Sequence, residues 1–163
     1  MFERRCKVKL NSVLLLQGNE IGETNGLVSC HVCIIQAKRL DKKNVIMSHF
    51  RVTDVHEHVH QIGSILSNFS SIEAESVADV LLFRLAPQKI IEQCASPGCA
   101  YYIDRYESAT KLLKDRLSEF FPRAWVREVP YDGREKDGDW IEVDVKHGRW
   151  VSSFRSGFIE KGK

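Results

Sequence analysis

Between Val28 and Phe50 lie two apolar runs rich in β-branched residues, Val28–Ala37 and Val45–Phe50, on either side of the charged stretch Lys38–Asn44. Such runs read as strands, and so short a connection makes them antiparallel partners in one hairpin. A turn centred near Leu40 then brings Cys30 within about three residues of the position opposite His49. A bulge would close the difference. The hairpin therefore carries a thiol and an imidazole to its open end.

The flanking sequence supplies both kinds of element. Val8, Leu10 and Val13–Leu16 read as a first strand or a bent pair of strands, and Gln17–Gly26 as a polar loop containing Gly18, Gly22 and Gly26. Asp54 and Glu57 have the spacing of a capping box, and Val55, Val59, Ile62, Leu66 and Phe69 follow on one helical face. Val77–Leu85 is a strand ended by Pro87, and Lys89–Gly98 is short and ambiguous. Glu107–Phe121 is a second amphipathic helix, stopped by Pro122, with Ala109, Leu112, Leu113, Leu117 and Phe120 as its apolar face. Trp125–Val129 is a strand. A polar loop runs on from Pro130 to Asp139, and Trp140–Val145 pairs with Trp150–Phe154 about His147-Gly148. The expected fold is α+β: a mixed or antiparallel β core, with two packed sheets as one form, flanked by helices. No repeat, low-complexity segment or boundary divides residues 1–163, so one domain is expected.

Composition removes several classes of function. With 43% hydrophobic and 28% charged residues, the 163-residue chain has the balance of a water-soluble globular protein. A formal charge of +2 gives no argument for nucleic acid. No apolar run approaches the roughly 20 residues of a membrane span, so no membrane insertion is expected. The start Met1-Phe2-Glu3-Arg4-Arg5 leads into no long apolar segment, and the five cysteines read as reduced cytoplasmic thiols.

Three groups of residues could carry chemistry. Cys30 is a candidate nucleophile and His49 its base, since a thiol attacks a carbonyl only as thiolate. Gly26 would let the loop approach a substrate, and backbone N–H groups at Ser29 and Cys30 would hold an oxyanion. An imidazole that lowered the thiol pKa would make Cys30 alkylate ahead of Cys6, Cys33, Cys94 and Cys99. The bland alternative is a small buried strand cysteine and a satisfied strand histidine. The second group, His56-Glu57-His58-Val59-His60, reads as H-E-x-x-H, the zinc-hydrolase motif. Its third ligand position is apolar Leu66, and the expected cap puts it in the first helical turn, so a polar helix face with His58 turned elsewhere competes with it. The third, Cys94-x4-Cys99, reads as a pair of loop cysteines without zinc partners.

Thr24-x-Gly26-Leu27-x-Ser29-Cys30, followed by a strand, a short turn and Ser48-His49-Phe50, resembles the chemoreceptor glutamine deamidases of the CheD family, which are related to the catalytic domain of cytotoxic necrotizing factor. That family uses a threonine, a cysteine and a histidine, and Thr24, Cys30 and His49 match its motif positions in order. The order of helices and strands after His49 also follows the family. Arg84-Leu85-Ala86-Pro87 replaces its Gly-Gly-Ala turn, and Asp104-Arg105-Tyr106 its glycine- and asparagine-containing helix entry. The resemblance implies a cofactor-independent cytoplasmic hydrolase that converts a protein glutamine to glutamate and releases ammonia. A chemotaxis receptor is one implied substrate, and a regulatory protein is a further implied partner. The alternatives are a zinc hydrolase using residues 56–60 and a non-catalytic binding module on the same fold.

Overall fold

The hairpin forms the middle of a five-stranded sheet. The structure, a computed structural model, describes residues 3–39, 42–68, 77–92, 99–133 and 138–160. Its strands are β1 (Arg4–Lys7), β2 (Ser12–Gln17), β3 (Glu20–Leu27), β4 (His31–Arg39), β5 (Lys42–Phe50), β6 (Val77–Leu85), β7 (Trp125–Tyr131), β8 (Asp139–Asp144), β9 (Arg149–Ser152) and β10 (Ser156–Phe158). The helices are α1 (Val55–Asn68), entered through a 3-10 turn at Val52–Asp54, then α2 (Pro87–Glu92) and α3 (Cys99–Phe120). Among the described residues the architecture is α+β, with two five-stranded mixed sheets, ordered β2-β5-β4-β6-β7 and β1-β3-β8-β9-β10. Each has one parallel pair, β6 with β7 and β1 with β3.

Strand alternation sorts the hairpin into two faces. Val32, Ile34 and Met47 join Leu27, Ile141, Val143 and Trp150 of the other sheet in one core. Cys33, Ile35 and Ile46 join Ile62 of α1 and Leu113 and Leu117 of α3 in a second. The β4–β5 sheet is thus covered by helices on one side and by a sheet on the other. Both its faces are dry, which is why its strands are nearly continuous apolar runs.

Several boundaries differ from the sequence reading. Gln17–Gly26 is a strand from Glu20 onward, with a tight turn at Gly18 (φ 60°). Gly22 is there for close approach, since a Cβ would lie 2.3 Å from Leu16 Cδ1 and 2.9 Å from Met47 Sδ. The charged stretch 38–44 is paired up to Arg39 opposite Lys42, because ladder bonds need only backbone groups. Leu40 and Asp41 lie outside the described residues. Asp54 belongs to the 3-10 turn, where its N–H donates to the Arg51 carbonyl at 3.0 Å, and Glu57 accepts from Gln61 at 2.7 Å. Helix α3 already begins at Cys99, which is therefore no loop cysteine. Its inner face continues as Ile103, Tyr106, Thr110, Leu113 and Leu117, and the two polar members hid the period. Phe69 and Cys94 fall outside the described residues.

Candidate active site

Thr24 and His49 meet across the two sheets. Thr24 lies in β3 and His49 in β5, and both are buried, at 3% and 2% exposure. Thr24 Oγ1 is 2.7 Å from the Val8 carbonyl oxygen and 2.7 Å from His49 Nδ1. A threonine hydroxyl has one hydrogen, and a carbonyl can only accept. The hydroxyl therefore donates to Val8, and His49 Nδ1–H donates to the hydroxyl. This fixes the tautomer. Nε2 carries the free lone pair, and it is a buried atom with no hydrogen-bond partner. Burial also pushes the His49 pKa down to about 4, so the ring is neutral at pH 7.

Cys30 lies just before β4, at the open end of the hairpin. Val32 is opposite His49 and His31 opposite Phe50, so continuing the register sets Cys30 beside Arg51, two positions along from His49. Residues so related share a face, and diagonal neighbours on it are about 7–8 Å apart. The β4–β5 register runs unbroken from His31 to Arg39, so this diagonal takes the place of the expected bulge. Cys30 is half-buried. Burial raises its thiol pKa, opposed by a hydrogen bond from the Ser29 backbone N–H and by the Arg51 charge. Cys30 and His49 share no hydrogen bond, and the thiol pKa is raised rather than lowered by the imidazole as anticipated above. Cys33, fully buried, is pushed up to about 12 and is still less reactive.

Ser29, the residue before Cys30, is half-buried, and its backbone N–H opposes the rise of the thiol pKa. Gly26 sits at the register shift between Thr24 and Leu27, with φ 73° and open space where a Cβ would be. Its lack of a side chain serves the bulge that follows Thr24.

Further residues hold the site in ways the sequence did not disclose. Tyr131 Oη donates to the Cys30 carbonyl at 2.6 Å. Asn11 adopts φ 62°, its N–H donates to the His49 carbonyl at 2.6 Å, and its Oδ1 accepts from the Arg51 N–H at 3.4 Å. Asparagine tolerates this left-handed conformation better than most residues, which was the one available signal.

A separate polar cluster lies on the helix-facing side. His31 Nε2 is 2.8 Å from Thr110 Oγ1, which donates to the Tyr106 carbonyl, so His31 donates from Nε2. His58 Nε2 is 2.6 Å from Ser48 Oγ, and its ring stacks on Phe50 at 4.5 Å. His58 is fully buried, whereas His56 and His60 are exposed. Leu66 packs into the core against the helices. Among the described residues no three His, Cys, Asp or Glu side chains are grouped so as to hold a metal ion. The H-E-x-x-H stretch is split between an outward face and a buried structural histidine. No helix among the described residues is long and apolar enough to cross a membrane.

No protein-family model matches the chain, and no curated protein matches it.

Proposed function

We propose that the chain is a cysteine amidohydrolase that converts a glutamine side chain on a protein to glutamate. One observation carries this reading. The Val8–Thr24–His49 chain of hydrogen bonds leaves His49 Nε2 as a bare acceptor, two positions along the hairpin from where the β4–β5 register, continued past His31, sets Cys30. His31 Nδ1 and His58 Nδ1 are buried without a partner as well, so what supports His49 as the base is its fixed tautomer, held by Thr24, and its place near the hairpin end that carries Cys30.

The chemistry follows from these groups. Cys30 Sγ–H gives its proton to His49 Nε2 as the sulfur attacks the amide carbon. The carbonyl oxygen becomes an oxyanion, met by backbone N–H groups at Ser29 and Cys30. His49 Nε2–H then protonates the amide nitrogen, the C–N bond breaks and ammonia leaves. Water attacks the thioester, its proton passes to His49, and breakage of the C–S bond restores the thiol and releases a carboxylic acid, which ionises to glutamate. Nδ1 stays protonated throughout, held by Thr24. A neutral base suits a thiol raised by burial, because the proton moves only when substrate arrives. No step calls for a cofactor, and a chemotaxis receptor with an exposed glutamine is one substrate of the right chemistry.

Ammonia release by wild type, Cys30→Ala, His49→Ala and the double variant tests the reading. The two groups act as one unit, so each single loss should cost nearly as much as both. Additive losses would contradict the shared step.

A further inference from the structure

The Thr24–His49 hydrogen bond spans the two sheets, so its geometry depends on what ties the sheets together at that point. Strands β1 and β3 belong to one sheet and β2 and β5 to the other, and the chain crosses between them over residues 8–11. Val8 is buried and gives both its backbone groups to β3. Its N–H donates to the Glu23 carbonyl at 2.8 Å, and its carbonyl accepts from the Thr24 hydroxyl. At the other end of the crossing, the Asn11 N–H donates to the His49 carbonyl at 2.6 Å. A turn closed by the Ser12 N–H on the Lys9 carbonyl, at 3.1 Å, joins the two ends. One short crossing thus grips β3 at Thr24 and β5 at His49.

Asn11 is suited to this place by its backbone and its amide. Its φ of 62° is the left-handed conformation, which asparagine adopts more readily than most residues. Strand β5 ends at Phe50, and Asn11 Oδ1 accepts from the next backbone N–H, that of Arg51, at 3.4 Å. Asn11 therefore holds the chain on both sides of Phe50. The His49 ring is bonded at Nδ1 alone, since Nε2 has no partner. Its direction rests on the Thr24 hydroxyl and on the backbone that carries it, and the crossing fixes both.

We propose that Asn11 is a positioning residue for His49: it locks the chain crossing, keeps the Thr24 hydroxyl in line with Nδ1, and so keeps Nε2 bare. The proposal rests on the amidohydrolase reading above, in which Nε2 is the base, and deepens it. Asn11 touches no reacting atom and acts through His49. A base moved out of line loses proton transfer while the surface that binds substrate is untouched, so the loss falls on kcat. The ring also loses its single tautomer, because the proton on one nitrogen is set by the hydrogen bond that nitrogen makes.

The test compares the full-length wild type with Asn11→Ala, Asn11→Gly and Asn11→Asp. Ammonia release from a glutamine-containing peptide gives kcat and KM, and nitrogen NMR of the histidine rings gives the tautomer of His49. A urea titration establishes that each variant is folded in the assay. Asn11→Ala opposes the left-handed backbone and removes the amide. Its kcat should fall about tenfold with KM within about twofold, and the His49 Nε2 signal should move from a bare toward a protonated nitrogen. Asn11→Gly keeps the backbone and its N–H, so its kcat should fall only about threefold and the ring should keep one tautomer. Asn11→Asp keeps the backbone and the acceptor oxygen and should recover most of the wild-type kcat. A His49 ring signal unchanged in folded Asn11→Ala, or a loss confined to KM, would overturn the proposal. The ring signals also separate the two readings. No ammonia from the wild type, with a tautomer fixed there and mixed in Asn11→Ala, keeps the hold on His49 and removes the amidohydrolase. Equal ammonia release and equal ring signals in wild type and Asn11→Ala keep the amidohydrolase and remove the positioning role.

Discussion

Acidification from pH 7.5 to 5 should destabilise this protein far more than its carboxylates account for. His31, His49 and His58 are all buried with lowered pKa values, His31 to about 3 and His49 to about 4, and desolvation is the leading cause in each. An unfolded histidine titrates near 6.5, so below that pH the unfolded chain binds more protons and stability falls. The loss continues until pH drops through each folded-state value. At pH 5 an unfolded His is almost fully charged while His31 and His49 stay neutral, which costs about 2 kcal/mol per residue. These two alone remove about 4 kcal/mol, and His58 adds to it in the same direction. Total stability for a domain is about 5–15 kcal/mol. Glu107 and Asp144, whose pKa values are lowered by Arg84 and by His147 respectively, lose their contribution only in the more acidic range. The assay is urea unfolding followed by the fluorescence of the three tryptophans. With a slope of about 2 kcal/mol per molar urea, the midpoint should fall by about 2 M between pH 7.5 and pH 5. A midpoint that stays constant over this range would refute the reasoning, because the histidines would then titrate alike in both states.

Other perturbations separate the site from its scaffold. Thr24→Val keeps the shape but strands His49 Nδ1–H and the Val8 carbonyl, so stability should fall by about 1–3 kcal/mol and ammonia release by at least about tenfold, with Thr24→Ser restoring both. Iodoacetamide labelling of Cys30, mapped by mass spectrometry, should keep rising with pH into the alkaline range; a plateau below neutrality would mean a resting thiolate. Arg84, 5% exposed and bonded to Glu107 and Glu128, anchors β6 to α3, and Arg84→Ala should cost about 3 kcal/mol in a urea titration. Gly26→Ala meets no neighbour within 4 Å, so only its left-handed backbone resists, and the same titration should read about 1 kcal/mol.

The hairpin was legible because both its faces are dry, which forces an apolar run from Val32 to Ile35 that no helix period competes with. The helices were legible at Ile62, Leu113 and Leu117 for the converse reason. The sequence hid β3, because Glu23 and Asn25 face outward on a strand whose inner side holds Gly22 and Thr24, and such a pattern reads as a polar loop. Thr24, Cys30 and His49 could be singled out by motif, but the role of Thr24 required its hydroxyl count and the carbonyl of Val8, just past the end of β1. Val8 is a backbone acceptor, and no residue type announces that function. Asn11 and Tyr131 act on the site across sequence separations that only the fold closes.

The central claim is that Cys30 and His49 Nε2 hydrolyse a glutamine side chain. Its most direct test is mass spectrometry of glutamine-to-glutamate conversion in proteins from the source organism, after incubation with the wild type or with Cys30→Ala. Each event adds about one dalton and one negative charge, the same kind of charge switch as other modifications. The account predicts site-specific conversions that require the wild-type protein and vanish with Cys30→Ala and His49→Ala, both folded. A folded wild-type protein with reduced Cys30 that converts no glutamine beyond the Cys30→Ala background would contradict it.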